Sequence, residues 1–231
     1  MKKSFQLLFF GFKARTNIII CSIFLVIGLL MELAVSLEMA GTQDVMMWQP
    51  VGSVFLACIP LFGTQMLCSL TASAFVNTSP ASRGLKTSRS LLVTAIFIGA
   101  IFVVQVLMKA VIYLIYPKAG PVIWQELVFY AAVNALLLVC TAFLFRFFVA
   151  TFLAIYAVMF AFGSFSGYNA AMTGEKLSIV HYLPQFQRPL PYILLSALII
   201  AAGLAVYYGL SLLLYKVPFS KMAFGAGLKS R

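Results

Sequence analysis

Long apolar runs dominate this chain, and alternating or amphipathic patterns are rare. Runs at 18–40, 51–75, 91–116, 122–171 and 192–215 carry almost no charge. A helix of about 20 apolar residues matches the hydrocarbon thickness of a bilayer and satisfies its own backbone polar groups there. The run at 122–171 is too long for one crossing, and Arg146 is the only charge near its middle. A tight turn at Arg146 divides it. The pattern therefore predicts an all-α polytopic membrane protein with six transmembrane helices, at 18–40, 51–75, 91–116, about 123–145, about 147–170 and 192–215. The aromatic-rich stretch at 3–13 is too short to span. Its basic flanks Lys2, Lys3, Lys13 and Arg15 make it an N-terminal helix lying in the interface. The run at 18–40 is too long for the apolar core of a signal peptide. The whole chain, 1–231, reads as one transmembrane domain.

Composition sharpens this picture. Hydrophobic residues are 63% of the chain and charged residues 9%, against about 45–50% and 25% in ordinary globular domains. That excludes a water-soluble domain and a disordered chain. The net charge of +11 raises nucleic acid as a partner, but such a partner needs a solvated basic face, which this chain lacks. The charges instead follow the cytoplasmic positive bias. With the N-terminus inside, the inner segments hold Lys2, Lys3, Lys13, Arg15, Arg83, Lys86, Arg89, Arg146, Lys216, Lys221, Lys229 and Arg231, twelve of the 16 cations. Glu38, Asp44, Glu126 and Glu175 fall outside, and Glu32 lies in the outer half of span one. Both termini are thus expected in the cytoplasm, in a cytoplasmic (inner or plasma) membrane. The four cysteines all sit in apolar runs without a CxxC pair, so neither a disulfide framework nor a metal site is expected.

Few residues carry candidate chemistry. Gly84-Leu85-Lys86-Thr87-Ser88 resembles a P-loop fragment but lacks the motif's first glycine, so this chain has no ATPase motif of its own. Gly163-Ser164-Phe165-Ser166-Gly167 invites an intramembrane serine enzyme. The sole histidine, His181, lies in a proline-rich outer loop, and small residues more often serve close helix packing. No catalytic residue is assigned. Glu32 and Lys109 are ionisable groups inside spans, which are costly in lipid and are usually paired or functional. Glu32 lies about 21 Å above the start of span one and Lys109 about 27 Å above that of span three, so the two are a candidate intramembrane pair. The alternatives are that Lys109 snorkels outward while Glu32 faces the outer rim, or that the two bind substrate, and a structural role is favoured over substrate binding. Gln65, Gln105 and Asn134 either bond across helices or line a polar path.

The segment between spans two and three holds Ser79-Pro80-Ala81-Ser82-Arg83, followed by Lys86 and Arg89. Ser79 and Pro80 suit a helix start, and Arg83, Lys86 and Arg89 recur on roughly one face. Such a basic helix either binds anionic lipid or docks a partner.

This Ser-Pro-x-Ser-Arg stretch, with six spans, an interfacial N-terminal helix and a short turn at Arg146, resembles the permease subunits of ABC-2 type transporters, the G-type or type V exporter fold. The resemblance implies a non-enzymatic permease that moves a hydrophobic or amphipathic substrate (peptide, antibiotic or lipid). It also implies a second permease, identical or sister, and a separate ATP-binding subunit that supplies ATP and Mg. The cytoplasmic segment 79–89 would be the coupling element through Ser79, Pro80, Ser82, Arg83, Lys86 and Arg89. Spans two and five would line the pathway, which brings in Phe62, Gln65, Met66, Phe160 and Phe165. The other reading is a partner-free secondary carrier or membrane assembly factor.

Overall fold

The structure, a computed structural model, describes residues 14–42, 51–70, 78, 81–116, 121–151, 153–154, 157, 183–217 and 220. Among them there is no strand. Helix α1 spans Ala14–Thr42, α2 Val51–Ser69, α3 Ala81–Lys86, α4 Ser88–Ile115, α5 Gln125–Leu144 and α6 Pro189–Leu213. A 3-10 turn, Pro121–Trp124, leads into α5, and helical backbone resumes at 148–151 after a turn at 145–147. The stretch 3–13 and most of 147–170 lie outside the described residues.

Five of the described helices are long and apolar enough to cross a membrane. Their outward faces are greasy: Leu114, Leu198 and Leu213 are 78%, 68% and 79% exposed. In water such a surface would drive association, whereas lipid solvates it. The chain is thus a multi-pass membrane protein.

Helices α1, α2, α4 and α5 alternate in direction, and α2 sits at the centre, packed against the other three. Leu56, Ala57, Ile98, Tyr130, Ala131 and Leu138 form the middle of the apolar core. Small residues set the closest crossings. A Cβ on Gly52 would lie 2.7 Å from the Gly28 carbonyl oxygen and 2.8 Å from Glu32 Cγ, so α1 and α2 touch through their backbones. Gly203 of α6 likewise leaves only 2.9 Å between a would-be Cβ and Ala135 Cα of α5. Lipid tails are as apolar as leucine, so close packing of this kind is a main attraction between helices in a membrane.

Proline shapes two helices. Pro189 opens α6, where its missing N–H costs no intrahelical bond. Pro60 lies inside α2 and leaves the carbonyl four residues earlier without its usual donor. The Thr64 hydroxyl donates to the Pro60 carbonyl at 2.7 Å.

The segment expected as one coupling element at 79–89 is divided. α3 ends at Lys86, Thr87 leaves helical geometry at φ −124 and ψ −92, and Arg89 belongs to the first turn of α4. The Thr87 hydroxyl closes the short helix by donating to the Arg83 carbonyl at 2.7 Å. The three cations therefore do not share one face: Arg83 and Arg89 are exposed, while Lys86 is buried.

Gly52→Ala should drive α1 from α2 and lower stability by about 1–3 kcal/mol. Unfolding in mixed detergent–SDS micelles measures this. Gly99→Ala, where a Cβ meets nothing within 4 Å, should leave the midpoint unchanged.

Candidate functional site

The most polar place in the bundle lies where α1, α2, α4 and α5 converge. Glu32 and Ser36 are one helical turn apart on α1, Ser53 is near the start of α2, Lys109 is near the end of α4, and Glu126 is in the first turn of α5. Their exposures are 1%, 0%, 0%, 0% and 1%. Four helices of alternating direction thus deliver five polar side chains to one level.

Lys109 is the hub. Its Nζ lies 3.4 Å from Glu32 Oε2 and 3.1 Å from Ser36 Oγ, and it also donates to Glu126 Oε2. These contacts match the three protons of an ammonium group. Ser36 Oγ accepts from Lys109 and donates to Glu126 Oε2 at 3.0 Å. Ser53 Oγ donates to Glu32 Oε1. Glu126 Oε1 has no partner. Glu126 also gains from the positive end of the α5 dipole.

The cluster is sealed. Ile112, Ile123, Trp124, Leu127 and Tyr192 pack together above it. Tyr113 and Trp124 stand edge to face at 6.3 Å. The Tyr192 hydroxyl accepts from the Phe186 N–H at 2.6 Å and donates to the Phe186 carbonyl at 3.2 Å, holding the 183–188 segment over this end. Gln125 Nε2 donates to the Pro184 carbonyl at 3.4 Å.

A polar line continues from the cluster towards the other end. Gln105 lies one turn before Lys109 on α4, is fully buried, and has no partner for either amide atom. On α5, Tyr130 and Asn134 follow Glu126 at four-residue intervals, with exposures of 0% and 1%. The Tyr130 hydroxyl lies near the Asn134 side chain without a close hydrogen bond. Beyond them is a cavity of about 10 Å³, lined by Thr64, Thr94, Asn134 and Thr141 among apolar neighbours. That is room for about one water. The Thr64 and Thr94 hydroxyls are 2.9 Å apart on its wall.

The opposite end gathers basic groups. Arg146 Nη1 donates to the Ala142 carbonyl at 2.7 Å and Nε to the Leu214 carbonyl at 2.8 Å, tying the ends of α5 and α6 together. The Ser220 N–H donates to the Phe145 carbonyl at 2.8 Å. Ser90 and Tyr207 share a hydrogen bond of 2.6 Å, and the Arg83 guanidinium lies 5.1 Å from the centre of the Tyr215 ring.

The structure brings Glu32 and Lys109 together inside the bundle, away from the rim. It adds Glu126, which the charge pattern placed outside, and the two serines. The sequence held a signal for this: Glu126, Tyr130 and Asn134 fall at i, i+4 and i+8, one polar stripe along a mostly apolar helix. Of the coupling residues, Ser82 is half-buried, Arg83 and Arg89 are exposed, and Lys86 is buried. Ser79 and Pro80 lie outside the described residues. Of the pathway residues, Phe62 is half-buried and stands edge-on to Phe24 at 5.8 Å, and Gln65 is half-buried. Met66 is packed in a core with Leu67, Leu85 and Val93. Phe160 and Phe165 lie outside the described residues, as do Ser166 and His181. The described residues include all four cysteines and contain no disulfide and no cluster of metal-ligating side chains.

No family model, no curated protein and no solved structure matches this chain. Fold and site therefore define the class by themselves: a multi-pass membrane protein whose interior carries a buried charge cluster shared by four helices.

Lys109→Met leaves two buried carboxylates without their cation and should cost about 3–5 kcal/mol. The triple variant Glu32→Gln, Lys109→Met, Glu126→Gln removes all the charge and should recover most of that loss. Unfolding midpoints in mixed micelles compare the two. Equal midpoints for the single and triple variants would refute the charge account.

Proposed function

We propose that the chain is the membrane-spanning permease subunit of an ATP-driven exporter of the ABC-2 type. It moves a hydrophobic or amphipathic substrate and is energised by a separate ATP-binding subunit. The observation that carries this reading is α3. This six-residue helix between α2 and α4 is anchored into the bundle by Leu85, which packs with Met66, Leu67 and Val93. Its Arg83, and Arg89 just beyond, remain exposed at the same end. A short helix anchored on one side and basic on the other suits the transmission of a partner's motion into the membrane helices that flank it. The permease contributes differential affinity and a gate, and the partner contributes the chemistry.

The topology of this reading has six spans, both termini in the cytoplasm of a cytoplasmic-membrane protein, and an interfacial helix at 3–13. Two observations support it. α5 and α6 end side by side at Arg146, so they run in the same direction. The 183–188 segment that precedes α6 sits at the Glu126 end, which agrees with a sixth span in this reading. Arg15, Arg83, Lys86, Arg89, Arg146 and Lys216 all fall at or beyond the helix ends that would face the cytoplasm. Two copies, or one copy and a sister subunit, would enclose the pathway.

The buried Glu32–Lys109–Glu126 group favours a second reading, a partner-free secondary carrier, because carriers place ionisable groups inside their bundles.

The two readings separate on purification. Expressed with the products of its neighbouring genes and extracted in mild detergent, the chain should retain a stoichiometric ATP-binding subunit and ATPase activity. Arg83→Glu with Arg89→Glu should lower that retention at least fivefold while membrane insertion stays normal. A chain that purifies alone, with full transport in the double variant, would leave the carrier.

A further inference from the structure

We propose that the basic end of the bundle carries a binding site for the headgroup of one anionic phospholipid, formed by Arg83 of α3 and by Tyr215 and Lys216 just beyond α6. The inference goes beyond the exporter reading and does not rest on it, because it concerns the chain alone in its bilayer.

The first observation is a pair of cations on one ring. The Arg83 guanidinium carbon lies 5.1 Å from the centre of the Tyr215 ring, and Lys216 Nζ lies 6.0 Å from the same centre. Both cations are exposed, and Tyr215 is half-buried. Neither cationic side chain makes a hydrogen bond or an ion pair among the described residues. The ring attracts positive charge through its face but offers no carboxylate to neutralise it. The N–H donors of both side chains are left for an anion, and the guanidinium fork matches two oxygens of a phosphate.

The second is an excess of positive charge around that pair. Lys86 and Arg146 are buried at the same end, 6% and 7% exposed. Arg146 holds the carbonyl of Leu214, the residue before Tyr215, and the charges of Arg146 and Lys86 repel one another. Four cations thus gather where α3, the turn after α5 and the end of α6 meet. The described acids, Glu32, Glu38 and Glu126, all belong to the other end. A cluster of one sign at the edge of a low-dielectric bundle draws an ion of the other sign.

The third is rigidity. The Val217 N–H donates to the Leu214 carbonyl at 3.0 Å and closes a tight turn with Tyr215 and Lys216 at its centre. Across from it, Leu85 packs α3 into the core, and the Thr87 hydroxyl holds the Arg83 carbonyl at 2.7 Å. Groups fixed in place beforehand lose little freedom on binding.

The occupant follows from what adjoins the cations. Leu198, Val206 and Leu213 are exposed by 68%, 49% and 79% along one side of α6, which runs up to this turn. A phospholipid answers both surfaces at once. Its acyl chains lie against that apolar side while its phosphate meets Arg83 and Lys216, at the interfacial level where tyrosines favour membranes. Free phosphate or an acidic peptide answers only the charges.

Native mass spectrometry of the full chain tests this. The protein is delipidated in mild detergent and offered phosphatidylglycerol and phosphatidylcholine of identical acyl chains at equal concentration. It should retain phosphatidylglycerol at least fivefold over phosphatidylcholine. Arg83→Gln and Lys216→Gln should each lower that preference at least twofold, and together they should abolish it. Arg15→Gln removes the same charge from an exposed residue at the start of α1, outside the site, and should leave the preference unchanged. Three results would each overturn the site: no preference in wild type, an equal loss in Arg15→Gln, or displacement of the lipid by a hundredfold excess of inorganic phosphate. No partner is present, so failure here leaves the exporter reading standing.

Discussion

A bare ammonium group in a hydrocarbon interior is among the costliest things a protein can bury, and Lys109 is fully buried. The helix assembly answers that cost. Its three protons go to Glu32 and Ser36 of α1 and to Glu126 of α5, while Ser53 of α2 steadies Glu32. Helices far apart in sequence are thereby bound to one point. Greasy helices slide and rotate against one another with little energetic preference, because lipid and leucine are equivalent neighbours. A charge with directional partners removes that freedom and sets both register and rotation.

The rest of the packing conforms to this point. Glu32 and Ser53 meet only because Gly28 and Gly52 let the backbones of α1 and α2 touch. The apolar lid of Ile112, Ile123, Trp124, Leu127 and Tyr192 excludes solvent, which strengthens the ion pairs beneath it. At the far end Arg146 plays a simpler part. Its guanidinium caps carbonyls at the ends of two parallel helices, where their dipoles are negative. The two ends are therefore built differently: one is a closed charge network, and the other is a basic rim with exposed arginines.

That asymmetry bears on function. The basic rim, with α3 anchored beneath it, is the part suited to a protein partner or a lipid surface. The closed network and its polar line lie in the interior, where they meet only what moves through the bundle. An exporter subunit and a carrier that works alone would use these same two features in different proportions.

The membrane class and most of the helices were legible in the sequence, because span length and charge bias are properties of single segments. The runs at 91–116 and 192–215 differ by only a few residues from the helices Ser88–Ile115 and Pro189–Leu213. Glu32 and Lys109 stood out as ionisable residues in apolar surroundings, and their depths suggested a meeting. Sequence by itself did not show that Glu126, near a helix end and easily read as exposed, turns inward as a second acid, or that Lys86 turns in while Arg83 and Arg89 stay out. Nor did it show that Ser36 and Ser53 serve the charges rather than the helix backbone. Each of these depends on the rotation of one helix about its axis. Rotation is decided only when helices meet, since lipid treats every apolar face alike. The sequence determined which segments enter the membrane; the tertiary structure decided which side of each segment faces the others.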